Sequence, residues 1–203
     1  MDLSDRLGVR GVLVMYFDRL SLFGFQNEGT DDEQESFLCD FRQSSFGGVF
    51  VALSCKGVCA LLLGQDETIL GQDFIRRFPN ALIEKSIDVR NRTLDRIFTL
   101  IETYKDHGSE IPLDLRGSEF QQVVWGVLRE IPYGKTASYS EIAKKIGAPG
   151  SARAVAGACR ANPVALLVPC HRVLAKNKTI SGYRWGVSLK RRLLEIESHG
   201  GLN

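Results

Sequence analysis

Two apolar runs in the first half of the chain stand only two residues apart, GGVFVALS at residues 47–54 and GVCALLLG at residues 57–64. Apolar runs of this length with so short a connection are typical of a β-hairpin. Two helical patterns follow, in TILGQDFIRRF and in LDRIFTLIETY, and Pro79 stops the first. Together with the strand-like run IPLDL, these patterns predict a small mixed α/β module over residues 46–116, in which no chemical motif stands out. The second helix is predicted to share one apolar face between Leu94, Ile97, Phe98 and Ile101.

Residues 1–45 carry the weakest pattern. The stretch NEGTDDEQES is acidic and rich in turn-forming residues, which is typical of a solvated connector, so we predict an N-terminal extension of unknown role. The start MDLSDRLGVR does not resemble a secretory signal, and no apolar run reaches the roughly 18 residues that span a bilayer. We therefore expect a cytoplasmic protein with no membrane partner.

The five cysteines are an odd number at low density, which favours a reducing compartment over a disulfide scaffold. Cys55 and Cys59 are four residues apart, and on an extended strand that spacing separates them by about 13 Å, too far to share an ion. No second close pair of Cys or His accompanies them. The sequence therefore predicts no metal site.

Residues 117–203 show a different, helical pattern. Ser118 can cap a helix in FQQVVWGVLRE that ends at PYG, and SYSEIAKKIG follows with Ser138 or Ser140 as its cap. The break APG and the small-residue helix SARAVAGACRAN come next. A helix, a short Gly/Pro turn and a second helix with small side chains are typical of a helix-turn-helix, so we predict a DNA-binding domain here.

The charge of the chain is unevenly distributed. Residues 1–116 hold 13 Lys and Arg against 19 Asp and Glu, whereas residues 117–203 hold 13 against 5. The excess of positive charge in the second half indicates a polyanionic partner such as nucleic acid. The alternative is that two solvated surfaces of opposite sign dock on each other.

The stretch VPCHRV at residues 168–173 places a cysteine beside a histidine. A thiol attacks only as a thiolate, and because its reference pKa is about 8.5, Cys170 needs a base. Adjacent side chains on an extended segment point to opposite faces, so we predict that a bridging water links Cys170 and His171. A carboxylate would then orient the imidazole, and the closing helix offers Glu195 and Glu197. The alternative is a buried packing cysteine.

The stretch NPVALLVPCHRV, followed by SGYRWGVSLKRRLLEIE, closely resembles the active-site signature of the O6-alkylguanine–DNA alkyltransferases, also called methylated-DNA–protein-cysteine methyltransferases. FQQVVWGVLREIPYGKTASYSEIAKKIG and SARAVAGACRANP resemble the helix and helix-turn-helix segments of the same family. The resemblance runs from Phe120 to Glu197 and is weaker over residues 46–115. The GYRWG form of the pocket loop is most similar to the alkyltransferase domain of the bacterial adaptive-response protein.

The resemblance implies an α+β fold, with a small N-terminal ribonuclease-H-like α/β module at residues 46–116 and a helical winged-helix or helix-turn-helix catalytic domain at residues 117–203. It implies DNA repair by single-turnover transfer of an alkyl group from O6 of guanine, with O4 of thymine as a further candidate, to the protein itself. The implied partner is double-stranded DNA, bound through its minor groove by a monomer associated with the nucleoid. No cofactor or metal is implied.

The family roles carry over to matching residues. Cys170 would accept the alkyl group, and His171 would deprotonate it through a water, with Glu197 behind the histidine. Asn162 would join the recognition helix to the active-site segment. The remaining implied contacts are to DNA and to the flipped base. Tyr139 would turn the nucleotide out and hydrogen-bond the guanine, with Ser138 beside it, and Arg153 would fill the vacated space in the duplex. Tyr183 would form part of the pocket wall, and backbone groups of Val173 and Arg184 would bind the base.

Three other functions compete with this interpretation. A protein of the same fold could bind alkylated DNA without reacting, although the acceptor cysteine is present here. A helix-turn-helix regulator would need side chains that read base edges, and alanine and glycine dominate the candidate helix. A thiol redox sensor or cysteine hydrolase is disfavoured because no resolving cysteine lies in motif spacing.

Overall fold

The computed structural model of the protein describes residues 35–85, 92–104, 110–180 and 182–200. Its larger sheet has four strands in the order β3-β2-β1-β4. The predicted hairpin is confirmed, since β2 and β3 pair antiparallel. On the other side of β2, β1 pairs antiparallel with it and parallel with β4. The strands are β1 (Glu35–Ser44), β2 (Gly47–Ser54), β3 (Gly57–Gly64) and β4 (Ala81–Lys85).

The predicted N-terminal extension, residues 1–45, overlaps strand β1 of the sheet. Residues 1–34 of it lie outside the described residues, but β1 is part of the sheet, so the predicted boundary at residue 45 falls in the turn between β1 and β2. Strand β1 has no clear apolar pattern in the sequence, because only Phe37 among its ten residues is fully buried. Its polar residues resemble the acidic stretch before it.

Two helices cover opposite faces of this sheet. Helix α1 (Glu67–Arg77) is capped by Asp66, whose side chain accepts from Ile69 N, and it buries Phe74 against one face. Helix α2 (Arg92–Thr103) packs on the other face, and its predicted apolar stripe is buried. The run IPLDL contributes one bridge, between Leu113 and Val58, and is not a strand.

The second half is helical, as predicted. Its helices are α3 (Glu119–Arg129), α4 (Tyr139–Lys145), α5 (Ala152–Ala161) and α6 (Val187–Ser198), with a two-stranded parallel sheet of β5 (Ala137–Ser138) and β6 (Val173–Leu174). Ser118 and Ser138 each form a capping box, with Gln121 and Glu141, so Ser138 and not Ser140 begins α4. Helices α4 and α5 pack together across the predicted turn.

Main-chain hydrogen bonds join the two halves. Leu61 N in β3 donates to Pro163 O at 2.9 Å, and Ala165 N donates to Leu61 O at 2.8 Å. One hydrophobic core continues from β2, β3 and α2 into α3, α4, α5 and α6. The loop that leads into residues 168–173 is thereby anchored on the sheet. Within the described part of the chain, no helix combines the length and apolar character needed to cross a membrane.

Candidate active site

The loop between α5 and residue 170 is held by the side chain of Asn162, which is fully buried. Its Oδ1 accepts from Val164 N at 2.9 Å, and its Nδ2 donates to Val168 O at 2.9 Å. The same Nδ2 lies 3.2 Å from Sγ of Cys170. One amide therefore shapes the loop and contacts the sulfur.

Cys170 begins a single 3-10 turn, Cys170–Arg172, and its side chain is buried. Burial raises the pKa of the thiol to about 11, although the hydrogen bond from Asn162 and the charge of Lys190 oppose that rise. The thiol is therefore protonated near neutral pH, and its reaction requires a base.

His171 is also fully buried, and its Nε2 lies 2.8 Å from Oε1 of Glu197. Burial lowers the pKa of the imidazole, and the hydrogen bond and charge of Glu197 act against that effect. No hydrogen bond joins the histidine to Cys170 among the described residues, and Nδ1 of His171 has no protein partner there. The imidazole is thus neutral near neutral pH, and Nδ1 is its nitrogen without a hydrogen bond to any described residue.

The structure places Glu197 behind the histidine and leaves Glu195 exposed at the surface. Burial would raise the pKa of Glu197, but hydrogen bonds from His171 and Arg172 and the charge of Arg172 outweigh it and lower the pKa to about 2. Arg172 Nε lies 3.0 and 2.9 Å from the two carboxylate oxygens, and Gly134 N donates to Oε2 at 3.1 Å. The carboxylate is therefore ionised and fixed.

Three buried residues of the site were missed by the sequence analysis. Arg172 lies inside the quoted motif, but nothing in the local pattern shows that it turns inward. Lys190 donates through Nζ to Val173 O at 2.6 Å, and burial lowers its pKa. Tyr104, at the end of α2, reaches the site from the sheet half, with its hydroxyl 2.9 Å from Oε1 of Glu197. The partner of Tyr104 is 93 positions away, so no sequence motif could reveal it.

A narrow cleft opens beside the sulfur. Helix α5 forms one wall and the loop at residues 182–184 forms the other, and Tyr139 completes the lining. The free space is about 10 Å³, enough for about one water molecule, so a larger group can enter only if the cleft widens. Cys159, which has the pattern of a core residue, lies in the α5 wall.

Both walls of the cleft are tied to helix α1 of the sheet half. Arg184 forms an ion pair with Asp73 and also approaches Arg160 O in the opposite wall at 3.4 Å. One helical turn along α1, Arg77 donates to Ala161 O at 3.3 Å, at the end of α5. Helix α1 therefore acts as a brace for the cleft.

The residues expected to meet DNA occupy different settings. Tyr139 is the first residue of α4 and lines the cleft, directly after the cap Ser138. Arg153 is exposed near the start of α5, and Val173 is fully buried with its carbonyl bound to Lys190. Tyr183 packs edge-on against Trp185, with ring centroids 5.2 Å apart.

Comparison with known proteins agrees with this geometry. The model of the 6-O-methylguanine DNA methyltransferase DNA-binding domain matches residues 119–199. The inducible methylated-DNA–protein-cysteine methyltransferase of Bacillus subtilis is 43% identical over 122 residues, which cover 60% of this chain and 68% of that protein. The chain belongs to this family of methyltransferases. The family predicted from the sequence is thereby confirmed.

Two further relatives of the family show how far the match extends. The bifunctional transcriptional activator/DNA repair enzyme Ada of Escherichia coli is 44% identical over 152 residues, 75% of this chain but 43% of that protein. This chain therefore spans less than half of the length of Ada. The crystal structure of the Mycobacterium tuberculosis O6-methylguanine methyltransferase is 35% identical with a TM-score of 0.60, covering 81% of this chain and 93% of that one. The mixed α and β fold, with a small sheet and a helical half, is thereby confirmed.

Proposed function

We propose that this protein repairs DNA by transferring an alkyl group from O6 of guanine to its own Cys170. The observation that carries the proposal is the geometry at the sulfur. The thiol of Cys170 is contacted by Asn162 and lies at the base of a cleft. The next residue in the chain, His171, forms a buried pair with Glu197. Relatives named methylated-DNA–protein-cysteine methyltransferases, and a Mycobacterium tuberculosis relative solved in complex with DNA, support the assignment.

The chemistry follows from the protonation states of these groups. Nδ1 of His171 accepts the proton of Cys170 through a water, and the imidazolium formed is stabilised by the ionised Glu197. The thiolate sulfur then attacks the alkyl carbon, so the S–C bond forms while the C–O6 bond breaks. The electron pair of that bond passes to the guanine, where a donor such as the Tyr139 hydroxyl stabilises the leaving base.

DNA recognition is assigned to the surface around α4 and α5. Because an alkyl group on O6 is inaccessible inside the stack, the nucleotide must be flipped out, at a cost of a few kcal/mol. Tyr139 and Ser138 would act at the flipped nucleotide, Arg153 would fill the gap in the duplex, and Tyr183 would line the pocket. Backbone groups of Val173 and Arg184 would bind the base.

The finer features of the proposal come from the same family likeness. The small side chains of α5 would allow it to enter the minor groove, and basic residues nearby would supply affinity that is independent of sequence. We also propose that a monomer acts, in the cytoplasm and on the nucleoid. The sheet half would be a ribonuclease-H-like module and the helical half a winged-helix or helix-turn-helix domain, with a boundary near residue 116.

Mass spectrometry tests the reaction directly. The protein is mixed with an excess of duplex carrying one O6-methylguanine, and the peptide that contains Cys170 should gain one methyl group per molecule. A thioether is a poor leaving group, so the repaired DNA should equal the protein consumed, and Cys170→Ala should remain unmodified. Absence of the mass gain on wild-type protein would favour a protein that only binds alkylated DNA, and continued turnover would contradict single use. A duplex with O4-methylthymine tests the second substrate.

A further inference from the structure

Tyr104 brings a hydroxyl from the sheet half into the buried pair of His171 and Glu197. It lies 2.9 Å from Oε1 of Glu197 and 3.0 Å from Nε2 of His171, and its side chain is 4% exposed. The three polar groups form a closed triangle, because Nε2 and Oε1 are themselves 2.8 Å apart. No chemical motif marks this part of the chain.

The protons in this triangle can be assigned one by one. The carboxylate of Glu197 is ionised and can only accept, and burial raises the pKa of Tyr104, so its hydroxyl keeps its hydrogen. That hydrogen points to Oε1 of Glu197, which leaves the hydroxyl oxygen as an acceptor towards His171. Nε2 of His171 therefore faces two acceptors and must carry the hydrogen of the neutral ring. The lone pair is then on Nδ1.

We propose that Tyr104 is a positioning residue for alkyl transfer, whose hydroxyl holds His171 in the tautomer that presents a basic Nδ1. The inference rests on the proposed function, because it concerns the base that prepares Cys170 for attack. Glu197 alone favours the same tautomer, and Tyr104 adds a second acceptor that also fixes the plane of the ring. The sheet half is in this way part of the reactive site.

The backbone at Tyr104 supports a specific placement. Its φ is +46°, in the left-handed region that an aromatic residue rarely adopts. Its N–H donates to Leu100 O at 2.7 Å as α2 ends, and the rings of Phe46 and Tyr133 lie 5.2 and 5.9 Å from its own. The unfavourable conformation is retained where it directs the hydroxyl at the buried pair.

The test compares Tyr104→Phe with the wild-type protein by two readouts. NMR of the ring nitrogens of His171 reports the tautomer, and single-turnover transfer from methylated duplex reports the rate. We expect the variant to keep the ring and the affinity for duplex, to show a mixture of tautomers, and to transfer about 10- to 100-fold more slowly, since Glu197 still holds part of the imidazole. Phe46→Leu is the matched control: it loosens packing around Tyr104 but should keep both the wild-type tautomer and the rate.

The outcomes separate this inference from the proposed function. A wild-type tautomer in Tyr104→Phe would overturn the inference, whether or not the rate falls, because a slower rate alone fits a structural role. A wild-type spectrum with the hydrogen on Nδ1 would overturn it even if the variant does not fold. If the wild-type protein transfers no methyl group, the proposed function fails, while the spectra still decide how the histidine is held.

Discussion

The two halves of the described chain contribute to the site in different ways. The helical half supplies the groups that a motif marks, with Cys170 and His171 adjacent in sequence and Glu197 on the closing helix. The sheet half supplies Tyr104 to the buried pair and Asp73 to the pocket loop, and neither belongs to a motif. A site that sequence motifs mark in one half of the chain therefore also depends on contacts from the other half, which reach the buried pair and the pocket loop.

Glu197→Gln should have the largest effect, because it removes a buried charge from the helical half. Arg172 is buried and donates to both carboxylate oxygens, so its charge would lose its counterion, at a cost of about 3–5 kcal/mol. Because the pKa of Glu197 is lowered from 4.5 to about 2 on folding, the carboxylate stabilises the fold above pH 4.5 and loses this effect as the pH falls towards 2. Urea titrations should give free energies of unfolding for Glu197→Gln and the wild-type protein that differ most at neutral pH and converge near pH 2.

Glu195→Gln is the matched control, two residues away on the same helix. Glu195 is exposed, so its substitution should change the free energy of unfolding by no more than about 0.5 kcal/mol at any pH. A difference between Glu197→Gln and wild type that stays constant down to pH 2 would contradict the assignment of an ionised Glu197.

Asp73→Asn should have an intermediate effect, and it tests the sheet half. The ion pair with Arg184 is partly buried and joins α1 to the pocket loop, so we assign it about 1 kcal/mol. Without it, the open form of the cleft should become about fivefold more populated. The rate at which iodoacetamide modifies Cys170, measured on its peptide by mass spectrometry, should rise by the same factor.

Arg76→Gln serves as the control for this variant. Arg76 pairs with the other oxygen of Asp73, at 3.3 Å, but it is exposed and does not reach the pocket loop. Its substitution should leave the modification of Cys170 unchanged. Equal rates in Asp73→Asn and the wild-type protein would show that the sheet half does not restrain the loop.

The same contrast explains how much of the fold the sequence could reveal. Helices α1 and α2 and the β2–β3 hairpin follow from local periodicity and turn spacing, so they could be predicted. Strand β1 could not, because it buries little apolar surface although it forms a hairpin with β2, and β4 could not, because it pairs in parallel with β1 across more than 40 positions. Local patterns carry information about local structure, and parallel pairing is not local.

The residues of the candidate site also differ in whether local sequence could reveal them. Cys170 and His171 are neighbours, and the family resemblance marks them. The resemblance also implies Glu197, but the residue pattern alone leaves Glu195 and Glu197 open, because the choice depends on how α6 is rotated against the core. The hydroxyl of Tyr104 reaches the site through an unusual backbone conformation at the end of α2, and no sequence pattern predicts that.

Two helix caps, one in each half, should give the smallest effects. Asp66 caps α1 by accepting from Ile69 N at 3.1 Å, and Ser138 caps α4 by accepting from Glu141 N at 3.2 Å. Replacing either with alanine should lower the free energy of unfolding by about 0.5–1 kcal/mol. The effects on alkyl transfer should differ, because Tyr139 directly follows Ser138 and lines the cleft. Ser138→Ala should slow single-turnover transfer about twofold, as the frayed first turn of α4 displaces the tyrosine.

Asp66→Ala is expected to leave the transfer rate unchanged, because Asp73 lies beyond the first turn of α1, where fraying from the lost cap does not extend. Comparing the two variants therefore shows whether the loss of a helix cap slows alkyl transfer only where the helix begins beside the cleft. If both variants slow transfer equally, the transfer rate follows the stability of the whole fold. The helical half and the sheet half would then not differ in how their helix caps affect the reaction. If only Ser138→Ala slows it, α4 acts on the reaction through the position of Tyr139.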